Sequence, residues 1–366
     1  MTNRDWRVAG VLGAFLTLGV LGGCPAPPTP SDEPPFLDSD GNLRPGTATA
    51  VTFDSGGRAR FRGTISTPND IDVFAVGLLE AGDRLVVDVQ TRSGGLDPVA
   101  AVFDSREFLL AFNDDRTPDG SDLNPRIDIV IPERTDTYYV GIIGFPGDRA
   151  TGIYEATIEV TRDVGYPGPR PQVVYLDYRG GANITVPHVG QFNLTPFNAA
   201  DVGLPAAQTA ALTARVTQIV RERYAGYALT VISSDESGPP PGPHSTVYFG
   251  GENPRAFGVA QQIDTFNADP GDAAIIFTES FRGTFGLTPT FEQLAQALGN
   301  TAAHEIGHLL GLVHTADCDD LMDSGCFNSR LLAPQFFKTV ARLSASVFPF
   351  GFQSATEILT WLLGLV

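Results

Sequence analysis

Hydrophobic and polar residues alternate in short runs through the first half of the chain, and residues 47–162 carry this pattern almost without interruption. A period of two places successive side chains on opposite faces of a strand, so that one face can be buried. Gly, Asp and Pro separate the runs. Regular short strands of this kind predict an antiparallel β-sandwich. The predicted strands include residues 72–76, 84–89, 99–103, 127–131, 138–142 and 154–158.

The pattern changes after residues 163–171, a short linker that contains three prolines. Residues 172–366 mix apolar strand-like runs with amphipathic helices, which predicts an α/β (α+β) domain with a twisted mixed sheet. Four buried strands, an edge strand, an amphipathic helix and a closing helix are expected. The buried strands fall at residues 172–178, 229–232, 246–249 and 273–277, and the edge strand at 257–263. The amphipathic helix falls at 205–224 and the closing helix at 331–343.

A further helix is predicted upstream of the histidine-rich segment near residue 304. Thr290 and Gln293 have the spacing of a capping box, in which two side chains satisfy backbone N–H groups at a helix start. Apolar residues then recur at helical spacing at Leu294, Leu298, Ala302, Ile306 and Leu309. At the C-terminus, Ser354 and Glu357 match the same capping pattern before an apolar run. That run is too short to span a bilayer, so it either packs on the domain or contacts a membrane surface.

The N-terminus has the layout of a secretory signal. Arg4 and Arg7 precede an apolar run over residues 8–20, and Cys24 follows shortly after. This arrangement resembles a bacterial lipobox, which implies a signal peptide over residues 1–23 and lipidation of Cys24. The alternative is a plain signal peptide cut nearby, with the protein fully secreted. Residues 24–46 are rich in proline and acidic residues and read as a stiff, solvated tether.

The chain is strongly acidic, with a formal net charge of −18 over 366 residues. Such a chain repels phosphate backbones, so nucleic acid is not expected as a partner. The charge selects no substrate, and the sequence predicts no particular oligomeric state.

Three of the five histidines lie in one segment, where residues 304–314 read H-E-x-x-H-x-x-G-x-x-H. His304 and His308 are four apart on the predicted helix, so both imidazoles can reach one ion. Glu305 is rotated by about 100° from His304, so it can act on a water without binding the metal. Gly311 tolerates the left-handed conformation that would turn the chain and bring His314 back. Three protein ligands with one open position predict a single catalytic Zn²⁺.

This segment resembles the zinc motif of the metzincin metallopeptidases, which also carry a methionine-bearing turn beneath the metal. Met322, within residues 320–323, matches that turn. The resemblance implies a zinc-dependent endopeptidase with Glu305 as general base and His304, His308 and His314 as ligands. Some metzincins have a tyrosine two residues after the methionine, but this chain has Ser324 there.

The β-rich half has its own resemblance, to the bacterial pre-peptidase C-terminal domain. The matching pieces are residues 70–74, 81–83, 113–115, 137–140 and 152–154. That domain usually follows a peptidase, whereas here it precedes the zinc motif.

Cys318 and Cys326 flank Met322, and their spacing in an oxidising compartment predicts a disulfide that staples the methionine turn. A zinc-binding pair is the alternative. Asp114, Asp115, Asp119 and Asp122 suggest a calcium site, although their spacing is not that of an EF-hand and a solvated acidic loop is the simpler interpretation.

Together these features predict an extracytoplasmic zinc endopeptidase of a bacterial cell envelope or surface, anchored to a membrane through Cys24 and acting on proteins or peptides. Two alternatives remain open at this point. One is a surface-anchored binding lipoprotein whose sandwich binds a partner and whose zinc is structural. The other is a zinc hydrolase that acts on non-peptide amides, which the motif alone does not exclude.

Overall fold

The computed structural model describes residues 33–38, 41–117, 119–186, 190–286 and 288–366 of the chain. The predicted signal peptide, Cys24 and His188 lie outside the described residues. The described part is mostly β-structure, arranged in several sheets with few helices. A β-rich unit comes first along the chain, and a mixed α/β unit with the zinc motif follows it.

The first unit is built from two sheets. Its strands are β1 (Thr49–Ala50), β2 (Arg58–Ile65), β3 (Ile71–Leu79), β4 (Arg84–Thr91), β5 (Pro98–Phe103), β6 (Leu109–Asn113), β7 (Arg126–Val130), β8 (Thr135–Gly144) and β9 (Gly152–Thr161). One sheet has the order β1-β3-β8-β5-β6 and the other β2-β9-β4-β7. All pairings are antiparallel except that of β1 with β3. The predicted strands named above do not include β1, β2 or β6.

Burial along the strands explains how the two sheets pack. Buried and open positions alternate in β2 and β7, as expected where one face meets the core and the other meets solvent. Strand β5 differs, because all six of its residues are buried. Its second face packs against Leu343, Val347 and Phe348 of the following unit, so the two units share an apolar core.

The second unit contains a five-stranded sheet with three helices. Its strands are β10 (Gln172–Asp177), β11 (Gly181–Val186), β12 (Gly190–Leu194), β13 (Leu229–Ser233), β14 (Ser245–Phe249), β15 (Gly258–Ala260), β16 (Ala273–Ile276), β17 (Ala341–Arg342) and β18 (Phe352–Gln353), and its helices are α1 (Thr209–Arg223), α2 (Phe291–Leu309) and α3 (Ala355–Leu363). The main sheet has the order β13-β10-β14-β16-β15. Its strands run parallel except β15, which pairs antiparallel with β16 and forms an edge.

Helices α1 and α2 pack against each other closely at Gly299. A Cβ at that position would lie 2.5 Å from Ile219 Cγ2, so only glycine permits this approach. Helix α3 packs on the same core, where Leu359 and Leu363 are buried. The C-terminal apolar run therefore packs on the domain, which is one of the two arrangements expected from the sequence. Within the described ranges, no helix combines the length and apolarity needed to cross a bilayer.

The predicted closing helix over residues 331–343 is wrong. The structure has a 3₁₀ turn at Asn328–Leu332 and then the short strand β17. Pro334 removes a backbone donor, and Val340 is exposed, so the apolar residues there do not form one continuous helix face. The hairpin of β11 and β12 was not predicted.

Part of the expected tether lies against the sandwich. The Leu37 N–H donates to the Arg62 carbonyl at 3.0 Å, and the Arg62 N–H donates to the Pro35 carbonyl at 2.8 Å. Asp38 then approaches Asp72, a buried carboxyl that also accepts a hydrogen bond of 2.6 Å from the Tyr154 hydroxyl. Composition alone suggested solvation because it does not report such long-range pairing.

This carboxyl pair predicts a pH-dependent stability. Burial, and then the neighbouring Asp38 carboxyl, raise the pKa of Asp72 from 3.8 to about 8. The folded state therefore holds a proton that the unfolded chain releases near pH 4, and folding stability falls as pH rises between these values, by up to about 1.4 kcal/mol per pH unit. Asp72→Asn keeps an acceptor for Tyr154 and removes this loss. Thermal unfolding measured from pH 4.5 to 8 should show that the Tm of the variant rises relative to the Tm of the parent as pH increases. A Tm difference that stays constant with pH would contradict this prediction.

Candidate functional site

The local sequence sets both ends of the helix that carries the motif. The Thr290 hydroxyl accepts from the Gln293 N–H at 3.3 Å, and the Gln293 side chain accepts from the Thr290 N–H at 2.9 Å, as the capping box predicts. Helix α2 ends at Leu309, and Gly311 then adopts φ +82°. A Cβ on Gly311 would also lie 2.9 Å from the Asp264 carbonyl oxygen. Only glycine meets both requirements, and the chain turns back toward the helix.

The three motif histidines converge through their Nε2 atoms. His314 Nε2 lies 3.2 Å from His308 Nε2 and 3.2 Å from His304 Nε2. The His304 Nδ1–H donates to the Leu321 carbonyl at 2.7 Å, and the His308 Nδ1–H donates to the Leu312 carbonyl at 2.8 Å. These bonds fix the tautomer in which Nε2 carries a lone pair, the form that binds metals.

Burial also keeps the imidazoles neutral. It lowers the pKa of His304 and His308 below the usual histidine value and that of His314 to about 3, with the neighbouring histidines adding to the effect on His308 and His314. Neutral histidines are what a metal ion requires, since a protonated ring has no lone pair to offer.

The donor set fits zinc. Tetrahedral coordination with Zn–N bonds of about 2.0–2.1 Å places ligand nitrogens about 3.3 Å apart, close to the distances seen here. Lone pairs on His304 and His308 directed at one point repel each other unless a cation or the Nε2–H of His314 lies between them. Among the described residues, this triad is also the only group of three or more His, Cys, Asp or Glu side chains whose ligand atoms lie near enough to share an ion. The acidic residues near Asp119 form no such group.

Glu305 lies beside the triad but is more enclosed than expected. Its side chain is 5% exposed, and it packs against Gly258 of the edge strand β15. The carboxylate accepts a backbone hydrogen bond from Ala260, and its Oε2 atom is buried with no hydrogen-bond partner among the described residues. Burial raises the pKa of Glu305 to about 8. A nearby divalent cation favours the ionised carboxylate. The unpartnered Oε2 atom of Glu305 and the three histidines therefore both fit a divalent cation bound at the triad.

Met322 is fully buried beneath the histidines. A Cβ on Gly307 would lie 2.6 Å from Met322 Sδ, so the helix and the methionine turn meet at a glycine. The Thr315 N–H donates to the Met322 carbonyl at 2.8 Å, which ties the turn to the residue after His314. Cys318 and Cys326 form a disulfide across this loop, as their spacing predicted.

Two buried residues that sequence reasoning missed hold the segment around His314. Asp320 accepts a hydrogen bond of 2.8 Å from the Thr315 hydroxyl. On the other side, the Gln353 amide accepts from the Val313 N–H at 2.7 Å and donates to the Val313 carbonyl at 3.1 Å. Asp320 falls inside the segment already compared with the methionine turn, whereas nothing in the local pattern around Gln353 indicates this contact.

A cleft of about 440 Å³ opens at the triad and runs between the two units. His308 and His314 line it, together with the loop that follows β15 and residues of the β-sandwich. By contrast, the His244 Nδ1–H donates to the Gly242 carbonyl at 2.8 Å within an exposed loop, apart from the site.

Comparisons with known proteins give coarse structural likenesses. No family model matches the sequence, and no curated protein matches it. Solved structures with partial similarity include zinc metallopeptidases. Archaemetzincin from Methanopyrus kandleri is 15% identical, with 46% of this chain and 91% of that chain covered and a TM-score of 0.27. Metalloproteinase-II from Bacteroides fragilis is 17% identical, with 53% of this chain and 54% of that chain covered and a TM-score of 0.24.

The β-rich unit has separate neighbours. The pre-peptidase C-terminal domain of a Bacillus anthracis collagenase is 12% identical, with 32% of this chain and 100% of that chain covered and a TM-score of 0.25. All these scores are low, so the likenesses assign no family, and the function is argued from the site itself.

Proposed function

We propose that the protein is a zinc-dependent endopeptidase. The observation that carries the proposal is the convergence of three Nε2 atoms, from His304, His308 and His314, beside the carboxylate of Glu305. Two backbone carbonyls orient the first two ligands, and Met322 supports them from below. The metzincin resemblance supports the same roles.

The residues divide the chemistry between them. A zinc ion in the triad would supply Lewis acidity, polarising the scissile carbonyl and lowering the pKa of a water. Glu305 then takes a proton from the attacking water and later delivers it to the leaving amine. Among the described strands, β15 pairs with β16 alone, so its outer edge offers an extended peptide its main-chain groups other than the Ala260 N–H, which the Glu305 carboxylate takes. Substrate binding there would also cover the site from bulk water.

We infer an extracytoplasmic location for this activity. The N-terminal pattern supports export and lipidation at Cys24, with a fully secreted protein as the alternative. The disulfide between Cys318 and Cys326 agrees with an oxidising compartment. Proteins or peptides outside the cytoplasm are therefore the proposed substrates, and the acidic chain disfavours nucleic acid as a partner.

One observation favours a second candidate function. Glu305 is 5% exposed, and a general base must reach its water. If the edge strand keeps this carboxylate enclosed, the zinc site is structural and the sandwich is the binding module of a surface lipoprotein.

Cleavage-site profiling separates the two candidates. The purified protein would be incubated with a denatured protein mixture in three forms: as isolated, after removal of metal by a chelator, and after zinc is restored. The peptidase proposal expects one equivalent of zinc, new internal peptide termini with the first and third forms, and none with the second. Zinc bound at one equivalent with no new termini in any form would support the binding lipoprotein instead.

A further inference from the structure

The β-sandwich is joined to the catalytic unit by a shared core. Phe103 and Leu109 of the sandwich pack in one buried cluster with Val313, Leu343 and Phe348 of the second unit. Their contact is close enough that a Cβ on Gly141 would lie 2.6 Å from the Phe348 ring. Val313 directly precedes the ligand His314. The sandwich therefore has a fixed position relative to the metal site, unlike a domain on a flexible linker.

The loop that follows β15 connects both sides of the cleft. The Asp264 N–H donates to the His308 carbonyl at 2.9 Å, which fixes the loop to the end of the zinc helix. The neighbouring Thr265 hydroxyl donates to the Phe112 carbonyl of the sandwich at 2.8 Å. A peptide that follows the cleft away from the histidines would therefore meet residues of both this loop and the sandwich.

Apolar side chains from both units meet in this part of the cleft. Phe145 of the sandwich and Ile263 of the loop are half-buried, and Val347 lies beneath them in the shared core. We call these three residues the interdomain subsite.

The charged groups on the sandwich wall of the cleft are largely committed to one another. Arg116 and Arg126 pair with Asp88 at 2.7 and 3.3 Å, and Asp128 pairs with Arg84 at 2.6 Å. Asp114 and Asp115 also line this wall, and its apolar surface is the part that can take an uncharged side chain.

We propose that the interdomain subsite receives a large apolar side chain of the substrate, so that the β-sandwich is a specificity element of the peptidase. This inference rests on the proposed function, since it assigns an occupant to the cleft that contains His308 and His314. The occupant is an extended polypeptide segment, because the cleft is continuous with the metal site and is walled on both sides. The sandwich thus acts on the substrate itself.

The test uses the full mature protein and a peptide library in which each position near the scissile bond carries Phe, Leu, Gly, Arg or Glu in turn. We expect one position at which Phe or Leu is preferred over Gly by about tenfold or more in kcat/KM, mainly through KM. Phe145→Ala and Ile263→Ala should reduce that preference to less than about threefold. Phe145→Trp should fill the subsite and move the preference toward smaller side chains. Leu78→Ala, at an exposed apolar position of the sandwich, is the matched control and should keep the parent profile.

Thermal unfolding of each variant reports whether it is folded. Folded Phe145 and Ile263 variants with the parent profile, or a preference for Arg at the affected position, would overturn the inference while leaving the peptidase intact. Absence of cleavage by the zinc-loaded parent would instead remove the proposed function. If Phe145→Ala does not fold, the direction of the Phe145→Trp shift decides the question.

Discussion

Glu305→Gln is expected to lower kcat by about 10²- to 10⁴-fold while the protein keeps its zinc, since general-base catalysis contributes rates of this size. The substitution replaces one carboxylate oxygen by an amide group of nearly the same volume. Glutamine can still accept a hydrogen bond from the Ala260 backbone, but it cannot take a proton from water. The loss should therefore appear in kcat rather than in KM or in Tm. Steady-state kinetics on a peptide found by profiling, with zinc measured on the same sample, gives all of these values.

Glu292→Gln is the matched control on the same helix. Glu292 is exposed in the first turn of α2, where it pairs with Arg215 at 2.7 Å, and it lies far along the helix from the triad. An exposed pair of this kind contributes little to stability, so this variant should retain the parent kinetics. A Glu305→Gln protein that binds zinc and cleaves at the parent rate would remove Glu305 from the mechanism.

The elements that sequence predicted best are those specified by local chemistry. The Thr290 capping box, the helical spacing of His304 and His308, and the left-handed Gly311 all depend on neighbours within a few residues. The buried strands of the main sheet were found because their apolar runs are bounded by turn residues. Each of these signals is contained in a short window of the chain.

Long-range packing accounts for what the sequence did not reveal. Strand β5 looks like an ordinary sandwich strand, yet both of its faces are covered because Phe348 packs on the second one. Gln353 contacts Val313 across 40 residues. The enclosure of Glu305 by Gly258 likewise depends on where an edge strand meets a helix. None of these contacts has a periodicity that a window of residues could show.

These contacts also change how the two units relate to each other. Gln353 lies in β18 beside the shared core and hydrogen-bonds to the backbone of Val313. This contact holds the chain leading to His314 on the side that faces the sandwich. On the opposite side Asp320 fixes Thr315 through its hydroxyl. The position of His314 therefore depends on packing between the units, whereas the positions of His304 and His308 depend mainly on helix α2.

Gly258→Ala is expected to lower kcat by about 10²-fold although it adds a single methyl group. The new Cβ would lie 2.6 Å from Glu305 Oε1, 2.8 Å from its Cγ and 2.9 Å from its Cδ, distances too short for atoms to remain in place. The φ angle of Gly258 lies outside the left-handed region, so alanine strains the side-chain contact rather than the backbone. Glu305 must move by about 1 Å, and a misplacement of that size costs about 10²-fold in rate.

Two comparisons make this result specific to Glu305. Gly238→Ala is the matched control, since a Cβ there meets nothing within 4 Å and the residue has no positive φ, and it should keep the parent kcat and Tm. In a Glu305→Gln background, Gly258→Ala should reduce kcat little further, because both changes act through the same carboxylate. Multiplicative losses, or a loss confined to KM, would show that Gly258 acts through peptide binding at the edge strand. A Gly258→Ala protein with the parent kcat would mean that the carboxylate works from a position other than the one seen here.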